Sequence, residues 1–286
     1  MGNNIKEINI DDGRYPEHLR SIKRPPKKLF CIGNTSLLSM PGIAVVGTRR
    51  CTAYGRWASY EIGKTVAECG VTVVSGMAEG IDTRAHLGCL DAGGNTIAVL
   101  GTGIDVCYPK SNRDLYGRIA RYGLIVSEYA PGDKTGAWAF PERNRIISGL
   151  SKSVVVVEGA LKSGSMITAD LALEQNRDVF AVPGNIDSAN SIGVNRLIRD
   201  GAVPITSIEE VAEILGIGFS KKFQARIDSC TDEEANVMKI ILAFPGIDIE
   251  KIAYKTGGET YIVRSLVNAL EAKGYLRKEG NDLYIS

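Results

Sequence analysis

Three short segments carry residue types that could hold a polyanion. Thr48-Arg49-Arg50 follows the apolar run Ile43 to Gly47. Phe140-Pro141-Glu142-Arg143-Asn144-Arg145 leads into Ile146, Ile147 and Leu150, and Lys162-Ser163-Gly164-Ser165 follows the run Ser153 to Glu158. Arginine and lysine bring charge for phosphates, and a glycine-rich helix start adds free backbone N–H groups and the positive end of the helix dipole. An aromatic ring such as Phe140 offers a face on which a base can stack. The combination suits an anion spread along a groove. Each segment also has a plainer reading. Arg49 and Arg50 can be solvated loop charges. Ser165 can be a simple helix cap, although that leaves Lys162 unexplained. Phe140 can be a hydrophobic staple. Arg143 shares the stripe of Ile146 and Ile147, so it either points from the open end of the helix into a ligand crevice or pairs with Glu142 or Glu158.

Other chemistries find less support. Asp82, Asp105 and Glu158 stand at strand ends and could form an acid pair, but aspartates there usually cap helices or fix turns. His86 follows Asp82 within a helical pattern and is expected to be packed or capping. Gly101-Thr102-Gly103 invites a dinucleotide, yet Val106 stands where the third glycine belongs, and no Walker pattern occurs. No cofactor is expected. The six cysteines include no Cys-x-x-Cys pair, and only two histidines are present, so no metal site is expected and the thiols read as reduced. The net charge of +1 attracts no polyanion globally, so a nucleic-acid site must arise from local clustering. No apolar run is long enough to cross a bilayer, and the N-terminus lacks a basic-then-apolar signal. The expectation is a cytoplasmic protein without a membrane partner.

The elements that position these loops are legible from periodicity. Apolar strands alternate with helical patterns from residue 43 to about 215, which predicts right-handed crossovers and a parallel sheet. Helices are expected at Arg56–Cys69, Thr83–Ala92, Asn112–Tyr122, Glu142–Leu150, Ser165–Gln175, Val194–Asp200 and Ile208–Leu215. Residues 1–42 are too short for a core of their own and hold one strand near Leu29–Gly33. Residues 217–230 read as a polar linker. Residues 231–286 read as three helices and a hairpin, a winged helix-turn-helix, with Ile262, Leu266, Val267 and Leu270 facing inward and Tyr261, Arg264, Asn268 and Lys273 outward. That domain could bind duplex DNA through Arg264, Lys273, Arg277 and Lys278, or dock a protein. The fold class is thus α/β: an extended Rossmann-like parallel sheet flanked by helices over 43–216, plus a small C-terminal winged-helix domain.

Several motifs together resemble the DNA-processing protein A (DprA/Smf) family: Val45-Val46-Gly47-Thr48-Arg49, Ser75 to Asp82, Gly101-Thr102-Gly103-Ile104-Asp105 with Tyr108-Pro109 and Asn112, Ser127-Glu128-Tyr129, Phe140 to Leu150, Lys162 to Ser165 and Val182-Pro183-Gly184. The resemblance implies a non-enzymatic protein that binds single-stranded DNA, protects incoming strands in natural transformation and helps load the RecA recombinase. It also implies a homodimer through residues near 195–215. Carried onto this chain, it points to Arg49, Phe140, Arg143 and Lys162 as DNA contacts, with Thr48, Arg50, Asn144 and Ser163 completing the set. Thr48 stands where serine is common in the family. Residues 1–42 would be a remnant of the family's helical N-terminal domain. The competing reading is a nucleotide-binding or nucleotide-hydrolysing enzyme of the lysine-decarboxylase-like fold group, but the Pro-Gly-Gly-x-Gly-Thr loop of that group is missing.

Overall fold

A computed structural model describes residues 5–40, 42–209, 211–216, 226–244 and 246–285. The chain divides into two compact units, Met1–Gly218 and Phe219–Ser286. Most of the expected linker, residues 217–225, lies outside the described residues.

The first unit is built on a nine-stranded sheet: β1 (Lys6–Asn9), β2 (Lys28–Gly33), β3 (Gly42–Val46), β4 (Thr72–Ser75), β5 (Thr96–Leu100), β6 (Leu124–Ser127), β7 (Ser153–Val156), β8 (Asp178–Ala181) and β9 (Val203–Pro204). Their order is β1-β2-β6-β5-β4-β3-β7-β8-β9, parallel from β6 to β9. The helices are α1 (Glu17–Arg20), α2 (Ala53–Glu68), α3 (Ile81–Asp91), α4 (Arg113–Tyr122), α5 (Ala139–Gly149), α6 (Gly164–Glu174), α7 (Ile192–Arg199) and α8 (Val211–Ile214).

The strands read as unbroken apolar runs because both faces are covered. Ala44, Val46, Val154 and Val156 pack with Ile146, Ile147, Ala169 and Val194 on one face. Ile43, Val45 and Val155 pack with Ala58, Ile62, Ile81 and Ala85 on the other. Each buried aliphatic side chain contributes about 1.5–3 kcal/mol, so the sheet is a rigid base for its loops. α2 and α3 approach closely through glycine: a Cβ on Gly88 would lie 2.0 Å from the Tyr60 carbonyl oxygen, and one on Gly63 2.3 Å from that of Ala85.

Residues 5–40 hold two sheet strands, β1 and β2, where one was expected. β1 and β2 pair antiparallel, and β2 continues antiparallel onto β6, so the segment extends the sheet and makes it mixed. Its Ile8, Leu19 and Leu29 enter the same core as α5. α2, α3, α5 and α7 begin two or three residues before their expected starts. The Thr52 hydroxyl caps α2 by accepting from Gly55 N at 3.1 Å, a signal the apolar periodicity alone hides.

The second unit holds α9 (Asp232–Ala243), α10 (Ile249–Thr256), α11 (Thr260–Ala272) and the antiparallel ribbon β10 (Leu276–Glu279) with β11 (Asp282–Ile285), the element order of a winged helix. Thr231 and Glu234 form the N-terminal cap of α9 as a reciprocal capping box. Two placements differ from expectation. Val263, not Ile262, joins Val267 and Leu270 inside, and Ile262 is 45% exposed. Lys273 holds the Glu234 carboxylate with both distances 2.8 Å, so it does not belong to the presented face. Lys278 pairs with Glu271 and Arg277 with Glu279.

Candidate functional site

The chain runs outward from β3 through β4 and β5 to β6, then returns to the other side of β3 with β7, β8 and β9. Loops leaving β3 and β7 therefore diverge, and a crevice opens beyond their carboxyl ends, where doubly wound sheets take ligands. It has a volume of about 600 Å³, within the range of small-molecule or nucleotide sites. Thr48, Arg49 and Arg50 form one wall, and Ser163, Gly164 and Ser165 at the start of α6 form another. Phe140, Arg143 and Asn144 of α5 lie across from them.

The β3 loop is fixed from below. Thr48 N donates to the Glu158 carbonyl at 2.7 Å, and the Thr48 carbonyl accepts from Ile81 N at 3.3 Å. The Thr48 hydroxyl accepts from Arg50 N at 3.3 Å. The Glu158 carboxylate is buried and accepts from Thr52 N at 2.9 Å. It therefore anchors the loop to α2. Arg49 and Arg50 remain exposed. The Arg49 guanidinium lies 5.6 Å from the centre of the Phe140 ring, a cation–π distance. Phe140 also meets Tyr108 at 5.2 Å between ring centres. It sits inside the first turn of α5 rather than ahead of it, packed so close to Gly101 that a Cβ there would come within 2.9 Å of its ring. Pro141 follows in that same turn, where a missing N–H costs no intrahelical bond.

Arg143 differs most from its expected place. It is 5% exposed and pairs with neither Glu142 nor Glu158. Its Nη1 donates to the Gly76 carbonyl at 2.7 Å and to the Val99 carbonyl, and its Nε donates to the Asn144 side chain at 3.3 Å. Gly76 must lack a side chain, since a Cβ would stand 2.6 Å from the guanidinium. Beside it, the buried Asp82 carboxylate accepts from Gly76 N at 3.1 Å and Ala78 N at 3.4 Å. Burial pushes the Asp82 carboxyl up to about 6, opposed by Arg143 and by these N–H groups. Burial also lowers Arg143 to about 10, opposed by Asp82. Arg143 thus forms the floor of the crevice and stitches the loop after β4 and the end of β5 to α5.

Asn144 donates to the Gly164 carbonyl at 3.1 Å and so holds α6 against α5. Ser163 occupies the cap position of α6 but makes no capping bond. Its hydroxyl lies 2.7 Å from that of Ser165, which leaves the helix's first-turn N–H groups uncapped by a side chain. Lys162 is exposed on this loop, outside the crevice walls. His86 is buried, its Nδ1 2.7 Å from the Thr96 hydroxyl, and burial lowers it to about 3. Asp105 accepts from Gly132 N at 2.9 Å. Each of these candidate acid–base groups is engaged in holding backbone or core. Among the described residues, no group of three or more His, Cys, Asp or Glu is placed to hold a metal ion. No helix of the described residues is long and apolar enough to cross a membrane.

Two crevice residues escaped the sequence reading. Tyr108 was visible as an aromatic beside Pro109 but had no spacing that tied it to Phe140. Asn190, which donates to the Arg50 carbonyl at 2.9 Å, sits in a loop with no local signal.

The family model of DNA recombination-mediator protein A matches residues 6–216. The chain belongs to this family. It is 45% identical over 204 residues to the DNA processing protein DprA of Streptococcus pneumoniae, covering 71% of this chain and 72% of that one. It is also 45% identical over 218 residues to the protein Smf of Synechocystis, covering 74% of this chain and 54% of the relative. The crystal structure of S. pneumoniae DprA superposes with a TM-score of 0.70 at 44% identity, covering 73% of this chain and 74% of that one. DNA processing protein A of Helicobacter pylori, solved to describe its single-stranded DNA binding mode, superposes with a TM-score of 0.69 at 32% identity, covering 75% and 97%. These relatives do not favour the nucleotide-hydrolase alternative.

Proposed function

We propose that the crevice between β3 and β7 binds single-stranded DNA, and that the chain acts by holding the strand rather than by transforming it. The observation that carries this reading is the pairing of exposed Arg49 with the Phe140 ring at the mouth of the crevice. Charge for a phosphate and a ring for a base are thereby set side by side, as sequence-tolerant strand binding requires. Thr48, Arg50 and Ser163 add polar and cationic groups to the walls, and Lys162 is exposed on the loop that carries Ser163. The engagement of Asp82, Glu158 and His86 in structural bonds supports binding over catalysis. The recorded single-strand binding of the H. pylori relative supports the same ligand.

The same reading makes this a cytoplasmic mediator that helps place RecA on the strand and works as a homodimer through residues near 195–215. Binding of labelled oligothymidylate should exceed binding of a duplex of equal length, and nucleoside monophosphates should release no base. Equal affinity for both DNA forms, or release of base, would overturn the proposal. A RecA-loading role predicts faster RecA-dependent ATP hydrolysis on a strand coated with single-strand-binding protein.

A further inference from the structure

Arg50 lines the crevice, and α2 begins three residues later at Ala53; its first turns carry Tyr54, 47% exposed, and Trp57, 52% exposed. Three residues apart, they share one face of the helix. Their ring centres are 6.0 Å apart and the planes tilt by 36°. The core side of α2 is Gly55, Ala58, Ser59 and Ile62, so neither ring serves the interior. The Tyr54 hydroxyl lies 3.5 Å from the Pro183 carbonyl. That contact sets the rings beside the loop whose Asn190 lines the crevice and bonds Arg50. Arg50, the loop and the two rings thus form one continuous path away from the crevice. Arg56 adds an exposed cation, held to the first turn by its 2.9 Å bond to the Cys51 carbonyl. Asp187 is the one acid in the neighbouring 183–191 loop.

We propose that Tyr54 and Trp57 form a second, base-stacking subsite for single-stranded DNA that leaves the crevice past Arg50. This rests on the crevice being the strand's first site. Stacked planes are spaced by about 3.4 Å, so a base inserted between two rings needs them about 6.8 Å apart and parallel. The tilted rings at 6.0 Å offer an outer platform instead. Arg50 and Arg56 stand exposed beside the rings, and Ile186 of the neighbouring loop is exposed as well; the cations fit bases on a charged strand.

The chain has two tryptophans, so Trp138→Phe leaves Trp57 as the sole indole reporter. Oligothymidylates of about 4 to 16 nucleotides, the span of single-strand site sizes, are titrated into the full-length variant. Trp57 emission should be quenched only beyond a threshold length. Trp57→Ala and Tyr54→Ala should each weaken long oligonucleotides by about 5- to 100-fold while leaving the shortest that bind unchanged. Unquenched Trp57 at saturation with the longest oligonucleotide, or Trp57→Ala binding all lengths like the parent, would overturn the platform. Loss of a dimer in sedimentation with DNA binding intact would show that the rings join two copies, and would also overturn it. Arg49→Ala without effect at short lengths, with Trp57 still quenched, would instead refute the crevice and spare the platform.

Discussion

Arg49 and Arg143 look alike in the sequence but should fail in different ways. Arg49 is exposed at the crevice mouth, as is Arg50 beside it, and Lys162 is exposed on the loop that carries Ser163. If each meets one phosphate, log K should fall against log salt with a slope of about −2, from about −0.7 for each contact on a single strand. Arg49→Ala should flatten that slope by about 0.7. Measured from a 1 M reference, one such contact contributes about 0.7 of a decade at 0.1 M salt, so affinity there should drop about fivefold, or about 1 kcal/mol. Arg143→Ala removes a buried guanidinium bonded to the Gly76 and Val99 carbonyls and set beside Asp82. Breaking one side of a buried charge pair costs about 3–5 kcal/mol of stability. The salt slope of the folded fraction should stay near that of the parent, because no solvent-facing charge was lost. The assay is fluorescence anisotropy of labelled oligothymidylate at several salt concentrations, with urea denaturation of each variant alongside. The reasoning is refuted if Arg143→Ala flattens the slope as Arg49→Ala does while its unfolding midpoint is unchanged. It is equally refuted if Arg49→Ala changes neither affinity nor slope.

Three further outcomes follow from the geometry. Gly76→Ala should destabilise the chain by about 1–3 kcal/mol in urea, because its Cβ would press on the Arg143 guanidinium 2.6 Å away. Asp82 is raised from 3.8 to about 6 in the folded chain, so the folded state holds its proton more tightly than the unfolded state. The resulting stability is complete below about pH 4 and is lost as pH rises through about 6, some 3 kcal/mol in all. Asp82→Asn should therefore gain on the parent by about that amount between those pH values in paired unfolding curves, and a constant difference would refute the assignment. In the second unit, Thr231→Ala removes the capping hydroxyl that Glu234 N donates to at 3.3 Å and should cost about 1 kcal/mol, read as a lower melting temperature of that unit.

The strand pattern was legible because a sheet covered on both faces must be apolar throughout. Ile43 to Val46 and Ser153 to Val156 could be read residue by residue. The loops carrying Thr48, Arg49, Arg50 and Ser163 were legible as well, because a parallel sheet places the loops after its strands on one edge, and the crevice brings these together with Asn144 of α5. The N-terminal strands were only half visible. Lys6 to Asn9 alternates too briefly to declare itself, and its pairing with β2 is a long-range choice made by the free edge of β6. The fate of Arg143 was not legible at all. Its position on the stripe of Ile146 and Ile147 fixed which face of α5 it occupies. Whether that face opened to a ligand or closed on Gly76, Val99 and Asp82 depended on segments 67, 44 and 61 residues away in sequence.

By itself, then, the sequence determined the strand–helix alternation, the edge of the sheet that carries the loops, and the anion-friendly character of those loops. All of these follow from local periodicity and residue chemistry. The tertiary structure alone decided which cations face solvent and which are consumed as internal struts. It set Phe140 against Arg49 and Tyr108, and it left Tyr54 and Trp57 bare on α2. Those outcomes depend on where distant chain segments meet and on which buried carbonyls and carboxylates need a partner, and local sequence does not encode either.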